Sequence, residues 1–205
     1  MLFKNHDNDS VNDIPNFENI LSQTKINSIL YSDPFLKAGF IAKLVDEAKT
    51  DILYLDLDLL YSGYIVSGML KTPHNLSLFQ PTSELWNKIL TNVLVKLSTK
   101  KSTVIVDSLN GLYNLLNERK QIGKLVNSYI MLITSMARKT GSYVVVASMV
   151  RFKKEEGWIL SPTGKRLIDT DMVKKILLEQ SESGIILNFL NKEKTLIPSD
   201  LIPLI

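Results

Sequence analysis

The feature that most constrains this chain is a series of short, continuous apolar runs separated by stretches of helical length. The clearest run is STVIVDSL, starting at Ser102; SYVVVASMV, from Ser142, is a second. Runs without polar alternation fit strands covered on both faces, which occur in the middle of parallel sheets. INSILYS, DILYLDLDLL and NLSLFQP read as further strands, the second spanning 51–60. Between them lie segments with helical spacing. In FLKAGFIAKLVDEAK the apolar positions are Phe35, Ala38, Ala42, Val45 and Ala48, with Asp33 as N-cap and Pro34 at the first helical position. TSELWNKILTNVLVKLSTK has an N-cap at Thr82 or Ser83 and an expected apolar face of Leu85, Ile89, Val93 and Leu97. LYNLLNERKQIGKLVNSYIMLITSMARK is helical with a break expected near Gly123, and Gly141 fits a helix C-terminus.

Strands alternating with helices predict right-handed βαβ units on a mostly parallel sheet, with helices on both faces. VKKILLEQ and GIILNFL, joined through Ser-Glu-Ser-Gly, predict a terminal antiparallel hairpin. RFKKEEGWILSPTGKRLID is polar and turn-rich, and TLIPSDLIPLI is an apolar tail with two prolines. Residues 1–20 are expected to be a mobile or partner-docking arm, and residues 21–205 a single domain. FENIL and the tail are more apolar than free tails usually are. They fit either their own domain or a neighbouring subunit.

Composition narrows the chemistry. The 205 residues, 45% hydrophobic and 22% charged, suffice for one core-bearing domain. There is no cysteine, which excludes disulfides, thiolate catalysis and Cys-based zinc sites. The only histidines are His6 and His74, a poor basis for a metal site or a Ser-His-Asp triad. No metal site is expected. MLFKNHDNDS lacks the apolar region of a signal peptide, and no run approaches the roughly 18 apolar residues of a membrane span. A soluble, cytoplasmic protein without membrane contact is the expectation. The net charge of +3 says little about partners.

In a nucleotide hydrolase, the aspartate ending VIVD would hold the magnesium of a bound triphosphate. The phosphates would lie in a G-x-x-x-x-G-K-[ST] loop after the first strand, cradled by backbone N–H groups. Here that stretch is SDPFLKAG. Ser32 and Lys37 stand where the glycines should be, Ala38 where the lysine should be, and Gly39 where the hydroxyl residue should be. Pro34 also removes a backbone donor. Lys37 is a candidate surrogate cation, with Lys43 further along. A structural turn into a packing helix is the stronger reading, so no nucleotide cofactor is expected.

The order of strand, degenerate loop, helix, ILYLDLD, VIVDSLNGL and YVVVASMV resembles the RecA/RadA-type ATPase core. The resemblance spans about residues 25–195. It implies an α/β, three-layer, RecA-like fold with a C-terminal antiparallel hairpin. Asp56 and Asp58 match the family's Asp-x-Glu strand end, with Asp in place of Glu. Asp107 and Ser108 match its second nucleotide motif. Ala147 and Met149 replace the polar residues that sense the γ-phosphate. The residues suggest that Asp107 and Ser108 cap the following helix and that Asp56 bonds nearby backbone N–H groups. Alternatively, the acids form a working carboxylate set.

Members of the family without a P-loop include recombinase paralogs and the tRNA-binding RecA-fold subunits of Elongator. By resemblance, this chain is a catalytically silent subunit, with a second copy or a RecA-fold paralog as partner. Its expected role is accessory to DNA recombination and repair. The alternatives are an Elongator-like tRNA-binding scaffold and a nucleotide-binding enzyme or regulator with a non-standard phosphate loop. The family's DNA-binding loops match 117–124 and 151–166 in position. The candidate contacts to single-stranded DNA or tRNA are Arg119, Lys120, Lys124, Arg151, Phe152, Lys153, Lys154, Lys165 and Arg166, with Trp158 as a further stacking residue. The bland alternative is a solvated loop whose charge Glu155 and Glu156 offset.

Overall fold

A computed structural model describes residues 17–153, 157–160, 167–168, 171–189 and 194–198. In chain order the elements are α1 (Phe17–Ile20), β1 (Ile26–Tyr31), α2 (Pro34–Glu47), β2 (Asp51–Asp56), α3 (Leu60–Val66), β3 (Leu76–Phe79), α4 (Trp86–Thr99) and β4 (Ser102–Asp107). They continue with α5 (Leu109–Leu115), α6 (Ile122–Lys139), β5 (Tyr143–Lys153), β6 (Gly157–Leu160), β7 (Val173–Ser181), β8 (Gly184–Phe189) and β9 (Lys194–Pro198).

The strands form one sheet in the order β3-β2-β4-β5-β1-β7-β8-β9. From β3 to β7 every pairing is parallel; β8 and β9 add antiparallel neighbours. The expected hairpin is β7–β8, and part of the apolar tail supplies β9. Residues β1 to β5 contribute to the core alternate between two apolar layers. Tyr31, Tyr54, Ile105 and Val145 join α1, α2 and α3 in one layer. Leu55, Val106 and Val146 join α4, α5 and α6 in the other. The three-layer α/β architecture expected from the sequence is present. Within the stretch read as an arm, Phe17 and Ile20 are buried on the chain's own core, and the Phe17 ring meets Phe40 edge-on at 5.4 Å. Residues 1–16 and 199–205 lie outside the described residues.

Several local expectations shift for identifiable reasons. DILYLDLDLL is a strand only to Asp56. The Asp56 carboxylate accepts the Ser62 N–H at 2.7 Å, and Leu59, at φ 58°, turns the chain into α3. The buried face of α4 is Trp86, Leu90, Val93 and Leu97, whereas Leu85 is 48% exposed. A strict four-residue step advances about 400° and drifts roughly 40° per step, so the expected face slid off the true one. The helix N-cap is Leu85, without a side-chain cap, rather than Thr82 or Ser83; Thr82 accepts the Leu85 N–H at 3.3 Å in the turn just before it. The break between α5 and α6 falls between Leu115 and Ile122, and Gly123 sits inside α6. Gly141, at φ 66°, takes the left-handed conformation expected after α6. The polar stretch after β5 is not all loop. β5 runs on to Lys153 and pairs with β6, with Phe152 opposite Trp158 in the register.

Candidate functional site

In open α/β sheets, ligands bind beyond the C-terminal ends of strands, where neighbouring connections leave toward opposite faces. β2 and β4 are such neighbours, with Asp56 and Asp107 as register partners at their ends. α3 leaves β2 toward the α2 layer and α5 leaves β4 toward the other. Just past these strand ends the backbone continues to pair. The Leu57 N–H donates to the Asp107 carbonyl at 2.6 Å, and the Asp58 N–H donates to it at 3.3 Å. Gly111 of α5 sits so tightly that an added Cβ would lie 2.7 Å from both the Asp58 carboxylate and Leu57 Cβ. Ser108 accepts the Gly111 N–H at 3.1 Å and caps α5, as expected.

The Asp107 side chain does something else. It is 1% exposed, and each of its oxygens has a donor. Lys37 Nζ lies 2.5 Å from Oδ1, and the Tyr54 hydroxyl donates to Oδ2 at 2.6 Å. The same ammonium reaches Asp58 at 3.4 Å and lies 5.1 Å from the centre of the Tyr31 ring. The expectation that Asp107 caps the next helix is therefore corrected for its side chain: Ser108 alone supplies the cap, and Asp107 is the acceptor of an internal cation.

Local sequence explains how Lys37 arrives there. Only Ser32 and Asp33 separate β1 from α2. Asp33 accepts the Phe35 N–H at 2.8 Å, so the helix starts at once on Pro34. Helical side chains lean toward the N-terminus, which is the strand-end side. Lys37 is 1% exposed in a helix buried from Leu36 through Ala42.

Burial works against the Lys37 charge, but the adjoining Asp107, Tyr31 and Asp58 outweigh it and hold the ammonium above the usual lysine range. Burial pushes the Asp107 carboxyl up, and Lys37 and Tyr54 pull it back only in part. The first shift favours the ion pair and the second opposes it. With an ammonium on one oxygen and a phenol on the other, we take the pair as ionised. Burial raises Tyr31 to about 12 and keeps Tyr54 well above the usual phenol range, so both stay neutral.

The other sequence candidates are dispersed. Ser32 is exposed, Ala38 and Gly39 are packed inside α2, and Lys43 pairs with Glu47 at 2.6 Å on the same helix. Asp56 is buried and bonds the α3 backbone, as expected. Ala147 is buried, and the Met149 N–H donates to Asn110 at 3.2 Å. Arg119, Lys120 and Lys124 are exposed around the α5–α6 connection, and Arg151 is exposed near the end of β5. Phe152 and Lys153 lie on β5 and Trp158 on β6; their side chains, and all of Lys154, Lys165 and Arg166, fall outside the described residues. Among the described residues, no cluster of three or more Asp, Glu or His is placed to hold a metal ion. No helix among them is long and apolar enough to cross a membrane.

Sequence reasoning missed Tyr54 and Tyr31. A signal existed: Tyr54 is two residues before Asp56, and alternation puts both on one sheet face. The β2–β4 register, which brings that face to Asp107, was not legible.

The sheet order, its two covering layers and the strand-end acids define a RecA-type α/β fold. No known protein family matches the sequence, and no curated protein matches it. Among solved structures, a crystal structure of the RadB recombinase is similar, with a TM-score of 0.53 and 14% sequence identity over 80% of each chain. At that identity the likeness is one of fold.

Proposed function

We propose that this chain is a non-catalytic RecA-fold subunit of an assembly, acting as an accessory factor in DNA recombination and repair. The observation that carries this reading is the Lys37 ammonium on Asp107. An internal cation holds the carboxylate that a nucleotide's magnesium would otherwise use. The two-residue turn from β1 into α2 offers no arc of backbone N–H groups for phosphates, which supports the same reading. The fold shared with the RadB recombinase supports a place near recombination, and a second copy or a RecA-fold paralog as partner.

Nucleic-acid contact would come from the exposed Arg119, Lys120 and Lys124, with Arg151 as a further cation. Such contacts act on phosphates and weaken with salt. Two measurements test the proposal. With Mg·ATP, the purified chain should show no phosphate release above buffer; turnover abolished by Asp107→Asn would overturn the silent reading. In a salt series with single-stranded DNA, reversal of Arg119, Lys120 and Lys124 to Glu should weaken binding at least tenfold at low salt. Unchanged affinity would remove those three residues from the interface.

A further inference from the structure

No further inference is drawn: the strongest candidate, the exposed apolar patch of Leu59, Val66 and Met69 around α3, carries nothing because nothing among the described residues shows what covers it.

Discussion

At the scale of single residues, Lys37 and Asp107 depend on each other. A buried ion pair adds little net stability, but removing one partner leaves a charge buried alone, at a cost of about 3–5 kcal/mol. Lys37→Met should lower unfolding free energy by that amount in urea titrations. Tyr54→Phe strips one donor from the carboxylate and should cost about 1–3 kcal/mol. Pairing Lys37→Met with Asp107→Asn should cost less than the two single changes summed, by about 1 kcal/mol or more. Additive losses would mean that the ammonium and carboxylate do not interact as described. Gly111 tests the close packing of α5 on the residues after β2 in the same way. Gly111→Ala would drive a methyl against Leu57 and Asp58 and should destabilise by about 1–3 kcal/mol. Gly63→Ala, on α3 with nothing within 4 Å of its added Cβ, should be neutral or stabilising by up to about 1 kcal/mol. Equal effects at the two glycines would argue against the tight approach of α5 to the β2 end.

At the scale of elements, the sequence was most informative where one physical signal dominated. β4 and β5 were legible because a run without polar alternation has few alternatives to a covered strand. The start of α2 was legible because Asp33 and Pro34 act locally. The end of β2 was hidden, because LDLDLL keeps strand-like alternation while a local bond from Ser62 to Asp56 and the positive φ at Leu59 turn the chain into the helix. β6 was hidden because its pairing with β5 is a contact between strands, in a stretch whose composition reads as turn. The α4 face shows the same limit and yields a prediction. Leu90→Ala should cost about 2–5 kcal/mol, as expected for a core leucine. Leu85→Ala, at a half-exposed position, should stay within about 0.5 kcal/mol. Thermal or urea unfolding of the two variants checks this, and reversed magnitudes would return the helix to the face read from its sequence.

At the scale of the whole molecule, the candidate site ties stability to alkaline pH. Tyr31, Tyr54, Tyr61 and Lys37 all hold their protons more tightly in the fold than their ordinary values. For a group shifted up, the unfolded chain releases its proton first, so stability is complete below the unfolded value and falls as pH rises toward the folded one. The melting temperature should therefore decline from about pH 10 upward, the ordinary phenol value, with the Tyr31 share of the loss extending to about 12. Tyr31→Phe should make that decline shallower. An identical slope in the variant would show that Tyr31 does not resist ionisation in the fold.

On the proposed function, the Lys37 ammonium stands in for a nucleotide's cation at Asp107, and the native chain does not bind Mg·ATP. A ligand that binds only the native state must raise the melting temperature, and one held at 100 times its Kd adds about 2.7 kcal/mol. The most direct measurement is therefore the melting temperature of the intact protein with and without millimolar Mg·ATP. The expected result is no change beyond about 1 °C, on the usual scale of such shifts. A rise of several degrees that saturates with nucleotide and requires magnesium would contradict it.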